Sequence, residues 1–523
     1  MKKPKMLFIY PDIGSNSISF SPAIEILSAV LEQQEVEVEL IHIHEKHGVP
    51  FDHQILFEQI QQASPDVIGM TSTSYQYDIS NEIAGQLKER GIKVPIVLGG
   101  IHANISPEDL KESKFDAFCT GEGEVPLSEM FRRIRTGEEL TTIPGFHFKS
   151  ADGRVITNPA SKVIRNLDDL PMRNYGIMNT QQILTLKNKW LSIAFSRGCP
   201  YACNFCINQK LKLNHRQTES GKYFRINSVN RALSELTGLI DKYGAHIDVI
   251  NLDDDLLILE KEWFIEFANR FEKEIFKPYG IKYAINVRAN LINEELISVM
   301  ARSGCDLVRV GFETGNQEMR NRVLGKGISN RHLFQVFDLF HKYELRSLAF
   351  AMLGIPGETE SSIQDSLNML RKLQPTLIRM AIFEPFIGTP LYDYCIENGL
   401  IDNGNQTHEN CFDRSALSFK DLSQSQLQLY HILFPWHLNL GFVGEYSTLY
   451  KELITTYSRL DQEQHSLEGI RARILMDDRI ISEKLNKEGI AHYEYFENNN
   501  FYYHLAKPLK LSSPKWSETV IQS

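Results

Sequence analysis

The apolar stretch Trp190 to Phe195 opens into Ser196-Arg197-Gly198-Cys199-Pro200-Tyr201-Ala202-Cys203-Asn204-Phe205-Cys206, a C-x3-C-x2-C pattern. It supplies three thiolates and no obvious fourth. An iron–sulfur cube takes one ligand per iron, and soft thiolate suits it. Three ligands leave one iron open, which separates a reactive metal site from a closed structural one. Structural zinc is a competing reading, with His215 the nearest further donor, although the second C-x2-C pair of a zinc ribbon is absent. Three inert buried thiols are another. Cys119, Cys305, Cys395 and Cys411 are scattered singly and read as small buried hydrophobes.

Working outward, the same apolar stretch reads as the first strand of a βα series. Its strands fall at Leu191–Phe195, Ile247–Leu252, Lys282–Val287, Leu307–Phe312, Ser347–Met352 and Leu377–Phe383, with helices between. Six βα units without the last two of a full barrel predict an open, partial (β/α)6 barrel over residues 190–400, with chemistry at its C-terminal mouth. The cysteines follow the first of these strands, where a reactive site belongs.

Residues 1–140 alternate β-rich runs with amphipathic stretches. Strands are expected at Met6–Tyr10, Val36–His42, Asp66–Ser72, Val94–Leu98 and Phe115–Cys119, and helices at Pro22–Gln33, His53–Ala63, Gln76–Arg90 and Pro107–Glu112, with another after Glu124. The rhythm predicts a doubly wound, Rossmann-like α/β domain whose ligands bind beyond the carboxyl ends of its strands. Small and polar residues gather at those ends: Asp12 to Ser21, Thr71 to Tyr75 (with Ser72 and Thr73), Gly99-Gly100-Ile101-His102 and Thr120-Gly121-Glu122-Gly123-Glu124. Each alone is ordinary turn chemistry. Four on one predicted edge suggest loops that press backbone against a large ligand. Residues 141–189 read as a hairpin, turning at Asp152-Gly153, and a linker. Residues 401–523 lose the βα rhythm and read as a mostly helical C-terminal cap; its aromatics Phe434, Trp436, Tyr495, Phe501 and Tyr502 are candidates for a substrate pocket or for a small core of their own.

A formal charge of −10 gives no electrostatic case for nucleic acid or an anionic membrane surface. No stretch approaches a membrane span, and Met6 to Tyr10 is too short for a signal-peptide core. Unpaired cysteines suit a reducing compartment, so the cytoplasm is expected.

The other barrel strands end in polar groups: Asp253-Asp254-Asp255, Asn286-Val287-Arg288, Gly311-Phe312-Glu313-Thr314-Gly315 and Gly354-Ile355-Pro356-Gly357-Glu358-Thr359. Any one of them is explained by helix capping; their placement on one predicted rim beside an open cluster is more specific. Asp253 and Asp254 read equally as groups near the chemistry or as caps of a helix beginning near Glu260. Arg288 suits a carboxylate or phosphate at the mouth, or a pairing with Asp254.

Over about residues 5 to 400 these motifs resemble radical S-adenosylmethionine enzymes, in the branch with an N-terminal cobalamin-binding domain. Cys199, Cys203 and Cys206, with Phe205 before the last, match the cluster loop. Gly311 to Gly315 resembles the segment whose acidic residue, here Glu313, bonds the ribose hydroxyls, and Gly354 to Thr359, with Gly357 and Glu358, the turn beside the adenine. Pro385 to Tyr392 looks like a signature of the branch. Gly99, Gly100, His102, Gly121, Glu122 and Gly123 look like cobalamin-side loops. The resemblance implies a 4Fe-4S cluster, S-adenosylmethionine and cobalamin as cofactors, and an electron donor of the flavodoxin or ferredoxin type, for which Lys210 and Lys212 are candidate contacts. It implies reductive cleavage of S-adenosylmethionine to a 5′-deoxyadenosyl radical and methylation of an unactivated carbon on a small molecule. Cyclisation, rearrangement or oxidation without methyl transfer is the alternative within the family, and a non-catalytic iron–sulfur or zinc protein the alternative outside it. The chain departs from the pattern in one respect: the D-x-H-x-x-G motif that sets a histidine under cobalt is absent, and His44-Glu45-Lys46-His47-Gly48 has the wrong spacing.

Overall fold

The structure, a computed structural model, describes residues 3–13, 18–47, 51–218, 221–401, 415–441, 443–462, 467–496 and 499–506. Cys411 and the stretch 402–414 of the expected cap lie outside the described residues, as do part of the loop after the first strand and Gly48. Two compact units divide the chain, residues 1–201 with 207–248 and residues 202–206 with 249–521.

In the first unit, strands β1 (Lys5–Pro11), β2 (Glu37–Ile43), β3 (Val67–Thr71), β4 (Ile96–Gly99) and β5 (Ala117–Cys119) alternate with helices α1 (Pro22–Glu32), α2 (His53–Ala63), α3 (Tyr77–Glu89), α4 (Ile101–Ile105) and α5 (Glu124–Thr136). The sheet runs β2-β1-β3-β4-β5 in parallel and continues antiparallel into the hairpin β6 (Phe146–Lys149) and β7 (Val155–Thr157). Its central strands read as nearly continuous apolar runs because both faces are covered. One face packs Leu7, Ile9, Ile68, Met70 and Leu98 with α2 and α3, and the other packs Met6, Phe8, Val67 and Val97 with α1 and α5. Ser21 caps α1 through its side chain, with Pro22 in the first turn, where a missing N–H costs nothing. The expected helix at Pro107–Glu112 is a tighter 3-10 turn, Pro107–Lys111. Further along this unit come α6 (Thr180–Leu186), β8 (Trp190–Ile193), the antiparallel pair β9 (Ser196–Arg197) and β10 (Arg225–Ile226), α7 (Asn208–Arg216) and α8 (Val229–Tyr243).

The second unit holds the parallel run β11 (Val249–Leu252), β12 (Lys282–Val287), β13 (Cys305–Glu313), β14 (Arg346–Leu353) and β15 (Leu377–Ile382). Between and after these strands lie α9 (Lys261–Phe271), α10 (Lys277–Tyr279), α11 (Glu294–Arg302), α12 (Asn330–Lys342), α13 (Glu360–Leu373) and α14 (Pro390–Glu397). With β8, this is the βα order along the chain expected of a partial barrel. The region beyond residue 415 is helical in α15 (Gln424–Ile432), α16 (Phe434–Asn439), α17 (Ser447–Gln462) and α18 (Leu467–Lys487), but not throughout. Its end forms a hairpin, β16 (His492–Phe496) and β17 (Asn499–Ala506), and β17 pairs antiparallel with β15. The aromatic run at Tyr502 is therefore sheet. Trp436 is fully buried with Tyr450, Ile470 and Ile474 in a core belonging to the helices, and its Nε1 donates to Asp478 Oδ1 at 2.6 Å.

Candidate functional site

In the first unit, the carboxyl ends of β3, β4 and β5 carry the glycine-rich loops. Gly100 has φ +89°, and a Cβ there would lie 2.6 Å from Thr71 Oγ1 and 2.9 Å from Ser72 N and O, so only glycine lets these two loops touch. Ser72 N donates to Gly99 O and His102 N to Ser72 O. Thr73 is exposed at the tip, its hydroxyl bonded to Gln76. The imidazole of His102 is committed to its own domain: it stacks on Tyr77 at 3.7 Å, meets Ser74 Oγ through Nδ1, and lies 3.2 Å from Asp109 through Nε2. Gly121 N donates to Asn104 Oδ1 at 2.6 Å.

Beneath these loops lies a cavity of about 340 Å³. Its walls include Met6, Phe8, Met70, Leu27 and Leu127, with Gly99, Gly100 and Gly121 to Glu124 at the loop end. Apolar walls under exposed backbone suit a large ligand with an apolar appendage.

Glu122 does not face that space as a free carboxylate. It pairs with both Nη atoms of Arg225 and accepts from Arg197 Nη1 at 2.9 Å, while Arg197 Nη2 donates to Glu124 at 2.6 Å. Burial pushes the Glu122 carboxyl up, but Arg225 and Arg197 outweigh it and hold the group below its ordinary range. Arg197 and Arg225 were not legible as site residues, since their partners stand far away in sequence.

In the loop that follows Arg197, Cys199, Cys203 and Cys206 are half-buried and in no disulfide. Among the described residues no three His, Cys, Asp or Glu side chains gather as a single-ion cage would need; a cube instead places each thiolate on a separate corner. His215 is buried, with Nε2 at 3.2 Å from Gly221 O. Within the second unit the loop is clamped by Asn204, which sequence reasoning overlooked. Its N–H donates to Leu324 O, its side-chain amide to Val323 O, and its carbonyl accepts from Leu391 N. Phe205 packs into an apolar cluster with Ile355, Phe383 and Leu391. Arg288 Nη1 lies 3.7 Å from Cys203 Sγ, and its Nη2 donates to Lys326 O.

Glu313 ends β13 with φ +60°, just past a register shift against β14. A bulge re-aims a side chain, and a non-glycine residue held there stores about 1–3 kcal/mol of strain. Its carboxylate pairs with Lys326 Nζ. The segment is braced by Arg320, fully buried, which donates to Phe312 O, Thr314 O and Ile328 O. Burial lowers that guanidinium to about 10, leaving it charged at neutral pH. A Cβ on Gly315 would strike the α13 backbone at Asp365 and Ser366. The turn at Gly354 is latched by buried Glu358, which accepts Gly354 N–H at 2.5 Å, while its Oε1 has no hydrogen-bond partner among the described residues. Burial pushes this carboxyl up to about 8. Gly357 is exposed on the same turn. Asp253 is half-exposed, and Asp254 is buried with its carbonyl accepting from Asn286 Nδ2. Neither caps α9, whose N-cap is Glu260 with no side-chain bond.

One chain thus carries a three-thiol loop, a parallel βα sheet and a doubly wound domain with a cavity under its glycine loops. Residues 193–370 match the radical SAM superfamily and residues 16–131 match the B12 binding domain. The chain carries a radical SAM domain and a B12-binding domain, and is a radical SAM enzyme whose cofactors are a 4Fe-4S cluster, S-adenosylmethionine and cobalamin. It is 29% identical over 345 residues to an uncharacterized methyltransferase of Pyrococcus horikoshii, covering 65% of this chain and 72% of that one. It is 25% identical over 347 residues to the anaerobic magnesium-protoporphyrin IX monomethyl ester cyclase of Rubrivivax gelatinosus, covering 64% of this chain and 59% of that one. In fold it is similar to the cobalamin-dependent S-adenosylmethionine radical enzyme OxsB (TM-score 0.67, 17% identity, covering 94% of this chain and 76% of that one). It is likewise similar to the methyltransferase TsrM of Kitasatospora setae (TM-score 0.62, 18% identity, covering 76% and 75%). Among the described residues no helix is long and apolar enough to cross a membrane.

Proposed function

We propose that this chain methylates an unactivated carbon of a small molecule. The observation that carries the reading is a ligand-sized cavity under the glycine loops of a B12-binding fold, in a chain that also holds the three-thiol loop of a radical SAM fold. When bound, the cofactors supply one-electron cleavage of a sulfonium and a transferable methyl group. In this reading Cys199, Cys203 and Cys206 hold the cluster, Arg288 stands beside Cys203, and Phe205 shields one side of the loop from water. Glu313 receives the ribose hydroxyls, and Gly354 and Gly357 bring backbone to the adenine while Glu358 keeps their turn closed. Asp253 and Asp254 stand at the mouth. Ser72, Thr73, Gly99, Gly100, Gly121 and Gly123 frame the corrinoid, with His102 and Glu122 fixing the loops from behind. Lys210 and Lys212 are contacts for a flavodoxin- or ferredoxin-type donor, although Lys212 Nζ also donates to Pro200 O at 2.7 Å.

The cyclase among the relatives favours a second reading, radical chemistry without methyl transfer. Anaerobic incubation of the cobalamin-loaded enzyme with S-adenosylmethionine and dithionite separates the two. Methylation requires S-adenosylhomocysteine beside 5′-deoxyadenosine; 5′-deoxyadenosine alone supports the second reading, and neither product overturns both.

A further inference from the structure

One face of the second unit's sheet is apolar, with Val308, Val310 and Phe312 on β13 and Ile378, Met380 and Ile382 on β15 all buried. The alternate residues differ. Strand side chains alternate between faces, and the register sets Arg309 opposite Asn286, Gly311 opposite Phe350, Phe350 opposite Arg379 and Arg379 opposite Tyr502. Two guanidiniums therefore stand on one face, separated by β14.

Arg309 has a side chain only 8% exposed, and among the described residues its Nε has no hydrogen-bond partner. Its Nη2 donates to Leu252 O at 3.3 Å, and among the described residues the carboxylate it pairs with, on Asp253, is 3.9 Å away and 49% exposed. Arg379 lies over the rings of Tyr502 at 5.2 Å and Phe350 at 6.0 Å. Burial raises the Tyr502 hydroxyl above its ordinary range, and the charges of Arg379 and Arg309 offset only part of that. Other charged groups on this side among the described residues include Asp253 after β11, Arg346 on β14, whose Nη1 donates to Asp306 at 3.1 Å, and Glu494 on the terminal hairpin, taken by His492 and His504 at 3.4 and 3.5 Å. Burying the Arg309 guanidinium with so few acceptors is costly, and a fork of N–H donors is the geometry that binds a planar or tetrahedral oxyanion.

We infer that Arg309 and Arg379, with Tyr502 beside Arg379, form a subsite for the oxyanion of an acidic substrate, a carboxylate or a phosphate-type group. This deepens the proposed function by naming a substrate class, and it rests on that reading for the reaction.

The test is calorimetry on anaerobic holoenzyme saturated with S-adenosylmethionine, using methylphosphonate and acetate as probes and dimethyl methylphosphonate and acetamide as their uncharged counterparts. At least one anion binds, the neutral compounds do not, and the anion that binds tells phosphate-type from carboxylate substrates. Arg309→Gln and Arg379→Gln each weaken binding about tenfold or more, since a hydrogen bond to a charged group is lost. Arg309→Lys gives an intermediate loss, and the exposed Arg322→Gln changes nothing. Should Arg309→Gln fail to fold, Arg379→Gln and Tyr502→Phe carry the comparison. Absence of anion binding, equal binding of the neutral compounds, or variants that bind like the wild type would each overturn the subsite. If 5′-deoxyadenosine and S-adenosylhomocysteine still form in that case, the subsite falls alone.

Discussion

Arg197 reaches Glu124 at 2.6 Å and Glu122 at 2.9 Å from a position two residues ahead of Cys199. The strand that leads into the thiolate loop is thus tied to the glycine loop at the end of β5. Removing one member of a buried ion network strands the other charges, at about 3 kcal/mol. Arg197→Ala is expected to move the first unfolding transition in urea to lower denaturant by that amount. In the Arg197→Ala/Glu124→Ala double variant the losses are less than additive, because the two residues share one interaction.

Gly100 admits no side chain. A Cβ at φ +89° would meet Thr71 and Ser72 at 2.6 and 2.9 Å. Gly100→Ala is expected to cost about 1–3 kcal/mol and to displace the loop over the cavity. The visible spectrum of protein purified after growth with cobalamin reads the effect directly: the variant carries substantially less corrinoid than the wild type.

Glu358 makes stability depend on pH. Its carboxyl is raised to about 8 in the folded chain, above the ordinary value of about 4.3 in the unfolded chain. The folded state therefore holds a proton that the unfolded state releases, so this contribution is whole below the lower value and is lost as pH rises through the higher one. Melting between pH 5 and pH 8.5, about the window these values define, should show the wild type losing stability with rising pH more steeply than Glu358→Gln. Parallel curves would contradict the assignment.

Much of the architecture is written in local periodicity. The strand runs of the first domain lie within a residue or two of β1 to β4, and Lys282–Val287 is β12 to the residue. What escaped depends on distant partners. Tyr502 follows a helical stretch, and only its pairing with Arg379, more than a hundred residues earlier, makes it sheet. Arg320 is one arginine in a polar segment until the fold folds it under the carbonyls of Phe312 and Thr314. The motif reading found Glu122 and His102, but their side chains are engaged by Arg225 and Tyr77, which spacing does not reveal. Arg309 interrupts an apolar run by a single residue, a signal too short to separate from an ordinary amphipathic strand.

The central claim is that Cys199, Cys203 and Cys206 hold a cube with one iron open to S-adenosylmethionine. Electron paramagnetic resonance of the reconstituted, dithionite-reduced protein tests it most directly. A reduced 4Fe-4S signal should appear, shift when S-adenosylmethionine is added, and vanish in each Cys→Ala variant. A signal indifferent to S-adenosylmethionine, or a stoichiometric zinc ion in place of iron, would contradict it.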